Sequence, residues 1–558
     1  MQHPEVEQGT PRSCVGRTTV WLLRGSTGPA LLLALLTLAV YLPSLWNGFV
    51  EYDDPFYVTA NPHVRTGFTW DNLRWAFSFQ SLNMGIWGPL FWLSHQLDCQ
   101  LFGLTPAGHH ATSIVLHGAN AFLLCLLLIR ATGSLWKSWF AAALFALHPL
   151  NVENVSWIAE RKSLVCMLLL LCTVGLYGWY ASRPSVGRYL ATCTMFSLSL
   201  LAKPLSATLP VLLLLIDIWP LGRVNLERWN SQFAEIRGLI FEKLPLLAIS
   251  AVFSCIAFVS EKQSGALESH IPIALRLRSV AVDYLLYLRK TVWPVDLTYF
   301  YPHPLASVPL WLALVCSLTL LVFTAAVLRL RGHLPLKAGW LFYLVAMLPM
   351  CGLVQIGAFH MADRFAYLPL IGIFTALGWE LSRIAGKLHV SGSVQAVIAC
   401  FVLLVASACT IRTEGYWHDN LTLFSHARSV TKRPDLLIET NYCGALGDTG
   451  RIDEALDCYR RTVALAPTRF MPNYNVGYSL ARMGRFDQAV NEFRQALACT
   501  RDPQELARGY RSLGIAYLNL GEGAQAQIAL EQASVNGGTD ADLRGLIESA
   551  REMSVQHR

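Results

Sequence analysis

The chain has 558 residues, 54% of them hydrophobic and 15% charged. A soluble domain carries roughly 25% charged residues, so this composition excludes an ordinary soluble globule and predicts a polytopic membrane protein. The formal net charge of +7 is modest; it gives no sign of a nucleic-acid partner and serves to orient the chain in the bilayer.

Arg12, Arg17 and Arg24 precede the apolar run "PALLLALLTLAVYLPSLW". The run is about 20 residues long and lacks a small-x-small cleavage site, so it reads as an uncleaved first span with a cytoplasmic N-terminal segment, 1–27. A hydropathy window places eleven spans near 28–47, 107–129, 138–150, 164–182, 188–202, 205–220, 243–260, 308–328, 338–356, 365–383 and 394–411. With the N-terminus inside, Arg130 and Lys137, Arg183 and Arg188, Arg223 with Arg228, Arg237 and Lys243, Arg329 with Arg331 and Lys337, and Arg383 with Lys387 all fall on the inside. That is the positive-inside pattern. Of the fourteen cysteines, Cys125, Cys166, Cys172, Cys193, Cys255, Cys316, Cys351, Cys400 and Cys409 lie in apolar runs and read as small buried hydrophobes. There is no CxxC pair, hence no zinc or redox motif.

The outside face gathers the chemistry. "NGFVEYDDPFY" sets Asp53 and Asp54 side by side at the end of the first span. Two adjacent carboxylates near hydrocarbon are costly, which marks them as functional. "TWDNLRWAFSF" puts Trp70, Leu73, Ala76 and Phe77 on one face, as a helix lying on the membrane would. "HPLNVENVSWIAERKS" carries His148, Glu153, Glu160, Arg161 and Lys162; Lys203 precedes Pro204; "FHMADRF" carries His360, Asp363 and Arg364. His148 before Pro149 reads as a helix-end residue, and Asp217 lies towards the inner end of its span, away from the site.

An odd number of spans leaves 412–558 outside, with a linker at 412–434 and a repeat domain at 435–558. "GRIDEALDCYRRTVALAP", "GRFDQAVNEFRQALACT" and "GEGAQAQIALEQA" begin at Gly450, Gly484 and Gly521, with Ala455, Ala489 and Ala526 five residues on. Small residues there let paired helices approach, and Tyr459 and Phe493 fill the next layer, which is the tetratricopeptide pattern. Three repeats and a capping helix near 541–553 make a minimal stack.

"HPLNVENVSWIAERKS", "LAKPLSATLPVLLLLIDIWPLGR", "WPVDLTYFYPHP" and "VQIGAFHMADRFAYLPLIG", in this order, resemble bacterial multispanning tetratricopeptide membrane proteins. These are related to the eukaryotic transmembrane-and-tetratricopeptide protein O-mannosyltransferases. The chain departs from their pattern at Asn151, Ser163 and Phe365. The resemblance implies an all-α type-C glycosyltransferase fold at 28–411 followed by an α-solenoid. It also implies transfer of a sugar, mannose in the eukaryotic relatives, from a polyprenyl-phosphate carrier to a hydroxyl, with protein Ser/Thr as acceptor.

Glycosyl transfer needs a carboxylate base, for which Asp53 and Asp54 are the candidates, and positive charge for the departing phosphate. Arg161, Lys162, Lys203 and Arg364 supply that charge, with Glu153, Glu160, His360 and Asp363 lining the substrate. No firm cofactor is expected; a divalent ion on the Asp pair stays open, since no full ligand set is visible. The expected partners are membrane lipid, the lipid-linked sugar and an acceptor protein held by the repeats. The expected location is a bacterial cytoplasmic membrane with the repeats on the outer side. Two other classes compete, a non-catalytic membrane anchor presenting repeats and a transporter of lipid-linked sugars. A transporter would place charges near the bilayer midplane, whereas these sit at loop borders.

Overall fold

The computed structural model describes residues 15–224, 233–263, 271–304, 308–353, 357, 359–537 and 541–556. Residues 1–14 with Arg12, Arg228 and positions 354–356 of the ninth expected span lie outside the described residues. The chain forms two compact units, 1–418 and 419–558.

The first unit holds α1 (Val15–Tyr41), α2 (Pro62–Arg65), α3 (Trp70–Phe77), α4 (Pro89–Phe102), α5 (Pro106–Thr132), α6 (Leu135–Leu147), α7 (Val152–Ser156) and α8 (Arg161–Ser182). It continues with α9 (Val186–Ala202), α10 (Leu209–Ile218), α11 (Phe233–Gln263), α12 (Ile273–Val292), α13 (Leu310–Arg329), α14 (Leu334–Met347), α15 (Pro369–Lys387) and α16 (Gly392–Glu414). Each of the eleven expected intervals carries one of these helices. Six stretches are long and apolar enough to cross a membrane: Gly25–Trp46, Pro106–Thr132, Ile158–Ser182, Phe233–Gln263, Leu310–Arg329 and Gly392–Trp417. Leu135–Leu147, Val186–Ala202, Pro204–Ile218 and Leu334–Met350 are shorter apolar helices. The chain is therefore a multi-pass membrane protein. Leu314, Leu318 and Leu321 of α13 and Phe401 and Leu404 of α16 are more than 60% exposed, the apolar outward face that only lipid would cover.

Where helices meet inside, small residues carry the contact. A Cβ built on Gly339 of α14 would lie 2.4 Å from the Gly372 carbonyl oxygen of α15, and one on Gly372 2.5 Å from the Gly339 carbonyl. With no hydrophobic drive between helices in lipid, backbone approach of this kind replaces it. Proline opens α4, α5 and α15 at Pro89, Pro106 and Pro369, where its missing N–H costs nothing.

Helix α3 differs from the expected surface helix in one respect. Its buried face is Asn72, Trp75 and Ala76, while Trp70 and Phe77 stay exposed. Trp75 wins the inner position because it stacks on His63 (4.6 Å between centroids) and meets Trp92. Between α14 and α15 the chain forms β2 (Phe359–Met361), which pairs antiparallel with β1 (Tyr301–Pro302).

The second unit comprises α17 (Asn420–Val430), α18 (Leu436–Asp448), α19 (Ile452–Leu465), α20 (Phe470–Arg482), α21 (Phe486–Ala498), α22 (Pro503–Asn519), α23 (Gly523–Val535) and α24 (Ala541–Gln556). The interval 412–434, read as a linker, holds the end of α16, a 3-10 turn and α17. Gly450, Gly484 and Gly521 turn the chain between paired helices at φ of 81°, 74° and 78°, a left-handed conformation that costs other residues dearly. Ala455, Ala489 and Ala526 are buried, with Tyr459 and Phe493 in the same core. Each of the three expected Gly–Ala positions thus falls on a helical hairpin, α18–α19, α20–α21 and α22–α23. A disulfide joins Cys443 of α18 to Cys458 of α19; neither lies in the apolar runs, and their spacing matches no motif.

Candidate functional site

The site is built on the segment 148–163, every residue of which is buried. His148 ends α6 and caps the next turn. Its Nδ1 accepts from Leu150 N (3.2 Å) and its Nε2 meets Thr291 O (2.9 Å), so it is a structural helix-end residue as expected. The short α7 then carries Glu153, and the following turn carries Glu160 at the mouth of α8.

Six of the expected residues meet in one cluster. Glu153 Oε2 accepts the Arg364 backbone N–H at 2.7 Å and its Oε1 accepts from Arg364 Nη1. Glu160 accepts from Lys203 Nζ and from Ser163 Oγ (2.5 Å), and lies 3.2 Å from Lys162 Nζ and 3.8 Å from Arg364 Nε. Lys203 also donates to Ser163 Oγ at 2.8 Å. Lys162 sits over the rings of Tyr57 (4.7 Å) and Trp157 (5.7 Å), and Arg364 over Trp157 (5.3 Å) and Phe359 (5.1 Å). Aromatic faces favour cations held out of water. Asp53 faces the cluster half-buried. Burial lifts its carboxyl above the usual range, the Lys162 and Arg364 charges oppose that rise, and Glu160 adds to it. No donor among the described residues bonds the Asp53 carboxylate. Burial likewise pushes Glu153 up to about 7 against the pull of Arg364.

Asp54 is placed differently. It is fully buried, its Oδ2 accepting from Val50 N and its Oδ1 from Ala159 N, both at 2.8 Å. Burial lifts it to about 7 despite these two donors. Asp54 is a strut that ties the loop after α1 to the turn before α8. Each Asp54 oxygen thus accepts one backbone N–H, from Val50 and from Ala159.

Arg161 also points away from Lys162. It is wholly buried on Asp98, Ser113 Oγ (3.3 Å) and the His109 carbonyl (2.5 Å). It therefore holds α4 and α5 to the start of α8 and does not face the cluster. His95, Asp98 and His109 form one metal-like group, all three buried, but the Arg161 guanidinium already takes Asp98.

Asp363 and His360 flank the ribbon. Tyr301 Oη donates to Asp363 Oδ1 at 2.8 Å, and burial raises that carboxyl to about 6 while Lys290 draws it down. His360 Nδ1 lies 2.6 Å from Asp283 Oδ1 on α12. Sequence reasoning missed Asp98, Ser163, Asp283, Tyr57 and Trp157. Asp283 did leave a signal, a lone acid in "VAVDYLLYL" four residues before a tyrosine that bonds the Ala362 carbonyl (2.9 Å). Asp217, set aside in the sequence, forms a separate buried network with Tyr177 (2.6 Å), Lys243 (2.8 Å) and Arg223 (3.0 Å).

Residues 472–502 match the family described as Tetratricopeptide repeat. The chain is similar to "Protein O-mannosyl-transferase TMTC1" of Homo sapiens, 24% identical over 81% of this chain and 56% of that protein. It is similar to "Protein O-mannosyl-transferase Tmtc1" of Drosophila melanogaster, 24% identical over 79% of this chain and 62% of that protein. "Protein O-mannosyl-transferase Tmtc2" of the same fly is 30% identical over a shorter stretch, 35% of this chain and 22% of its own length. The chain thus spans between 56% and 62% of the first two of these relatives. The resemblance read from the motifs stands.

Proposed function

We propose, taking the relationship to protein O-mannosyl-transferases as premise, that this chain is a membrane glycosyltransferase. It moves a sugar, mannose by analogy, from a polyprenyl-phosphate carrier to a hydroxyl of an acceptor protein. The observation that carries this reading is Asp53, a half-buried carboxylate that no donor among the described residues bonds, facing Lys162 and Arg364 over an aromatic floor.

In the reaction the acceptor oxygen attacks the anomeric carbon while Asp53 takes the hydroxyl proton. A new C–O bond forms to the acceptor. The bond from the anomeric carbon to the phosphate oxygen breaks, and the electron pair leaves with the lipid phosphate. Charge growing on that oxygen is met by fixed cations, for which Lys162 and Arg364, whose charges act on Asp53, are the candidates. Glu153 and Glu160 keep Arg364, Lys162 and Lys203 in place. Asp54 and Arg161 support the frame and take no part in transfer.

The positive-inside pattern and the Cys443–Cys458 disulfide, a bond of oxidising compartments, both favour a cytoplasmic membrane with the repeats outside. The repeats would hold the acceptor polypeptide. The test is transfer of label from radiolabelled polyprenyl-phosphate mannose to a Ser/Thr-containing acceptor by purified full-length protein. Labelled acceptor that disappears in Asp53→Asn supports the reading. Failure with every lipid-linked sugar offered, together with normal acceptor binding by the repeats, would return the chain to the scaffold class.

A further inference from the structure

Directly after the Asp pair the chain makes one π-helical turn, Pro55–Thr59, in which Ala60 N donates to the Pro55 carbonyl at 2.9 Å. Single wide turns of this kind recur at functional sites. Tyr57 N donates to the Asp53 carbonyl at 3.0 Å, which fixes Tyr57 to the residue read as the base. Phe56 is exposed, whereas Val58 is buried and Tyr57 packs against the same cluster. The Tyr57 ring meets Phe91 edge-on, with centroids 5.6 Å apart, and Trp92 at 5.6 Å, both on α4. Lys162 Nζ stands over its face at 4.7 Å. The body of the side chain is thus held from three directions.

Its polar end is not. A tyrosine packed in this way normally finds a partner for its hydroxyl. In the same unit Tyr287 donates to the Ala362 carbonyl (2.9 Å) and Tyr343 to the Tyr284 carbonyl (2.6 Å). The half-buried Tyr57 bonds no group among the described residues through its hydroxyl. Burial and the charges of Asp53, Glu261 and Glu160 hold its phenol well above the usual range, against the pull of Arg364. It therefore stays protonated and can donate.

The neighbours decide what it donates to. Three carboxylates act on the hydroxyl, so an anionic phosphate is the wrong partner for it and goes to the cations instead. An alcohol fits, because it accepts from the phenol and donates its own proton to a carboxylate. Two alcohols enter a glycosyl-transfer site, the acceptor and the sugar. The acceptor oxygen spends its lone pair on the anomeric carbon, and a donor on that oxygen would weaken the attack. A hydroxyl of the sugar loses nothing by accepting. Lys162, a candidate for the departing phosphate, lies over the same ring, which sets Tyr57 beside the group bonded directly to that sugar.

We infer that Tyr57 is a specificity-determining residue of this site, its hydroxyl donating to one hydroxyl of the sugar being transferred. The inference rests on the glycosyltransferase reading and adds to it a group that tells one sugar from another. A site that hydrogen-bonds a substrate hydroxyl rejects the analogue lacking it, since the protein groups are then left unpaired.

The test is kcat/KM for polyprenyl-phosphate mannose and each of its monodeoxy analogues, with full-length wild type and Tyr57→Phe in one detergent. Phenylalanine keeps the ring and its packing, and no bond of the fold is lost, so the melting temperature should not move. On the parent donor Tyr57→Phe should lose about 10-fold in kcat/KM, the loss of one neutral hydrogen bond. One analogue should lose at least about 10-fold with wild type and clearly less with Tyr57→Phe, because both changes remove the same contact. Tyr180→Phe, at the far end of α8, should keep the wild-type ranking of donors.

Losses that add independently for every analogue overturn the inference, as does full activity of Tyr57→Phe on the parent donor. A wild type that uses all the analogues equally well overturns it too. Should Tyr57→Phe fail to fold, a fluorinated tyrosine in place of Tyr57, a stronger donor of nearly the same shape, carries the test. It should change the rate on the parent donor and not on the sensitive analogue; equal changes on both overturn the inference. A wild type that transfers no mannose overturns the enzyme reading for this donor and this inference with it. Normal transfer with independent losses overturns this inference alone.

Discussion

Asparagine at position 53 and asparagine at position 54 make the same chemical change one residue apart, and the structure expects opposite outcomes. Asp53→Asn removes a carboxylate that no donor among the described residues holds, so folding should be unaffected. Transfer should fall at least about 100-fold, the scale for losing a general base, equivalent to about 2.7 kcal/mol of barrier. Asp54→Asn turns one of two accepting oxygens into an NH2 that faces the N–H of either Val50 or Ala159. A buried donor without a partner costs about 1–3 kcal/mol, so this variant should unfold earlier while retaining chemistry in the molecules that remain folded. The assay is specific transfer rate beside thermal unfolding, on protein purified in one detergent. A pH profile adds a sign. A base works deprotonated, so the wild-type rate should rise with pH through the Asp53 carboxyl, which burial moves above the usual carboxylate range. An Asp53→Asn protein with full activity, or an Asp54→Asn protein that is stable and inactive, would refute the assignment.

Three other outcomes are expected. Gly339→Ala places a methyl 2.4 Å from the Gly372 carbonyl, so the α14–α15 contact must open and stability should drop by about 1–3 kcal/mol; an unchanged melt would show that the crossing is not tight. Lys203→Met strips Glu160 of one of its cations and should cost about 3–5 kcal/mol, as breaking a buried pair does; a neutral result would mean that Lys162 and Arg364 suffice. Cys443→Ser should lower the denaturant resistance of the repeats by about 3 kcal/mol and leave the buried Cys458 as a free thiol that labels on unfolding; equal stability with and without reductant would argue that the bond does not form.

Much of this architecture is written in the sequence because it depends on local period. Eleven apolar intervals became helices, and the Gly–Ala spacing marked each helix-pair turn, since a left-handed turn and a close helix approach admit few residue types. The boundary position of the Asp pair was equally legible. Which of the two is held by backbone donors was not, because adjacent residues point different ways and the choice rests on the Ala159 N–H, 105 positions along the chain. Arg161 and Lys162 pose the same problem at the start of α8. Consecutive residues on a helix lie about 100° apart, so one turned to Asp98 and the other to Glu160. Asp98 and Asp283 drew no notice in the sequence, and only packing showed what each holds. The disulfide was hidden for a related reason, since its cysteines meet only when the paired helices pack.

That disulfide makes the repeat array mechanically one-sided. In a solenoid each helix pair leans only on its neighbours, so stability is nearly a sum of local and interface terms. The staple lies on the first pair, α18 and α19, while α23 and α24 at the other end have no covalent tie. Fraying should therefore run from the α24 end inward, and a pulling force should peel the last pair before the first. The stapled pair would survive as a seed on which the others re-zip, letting the stack loosen around a bulky polypeptide and recover its register afterwards.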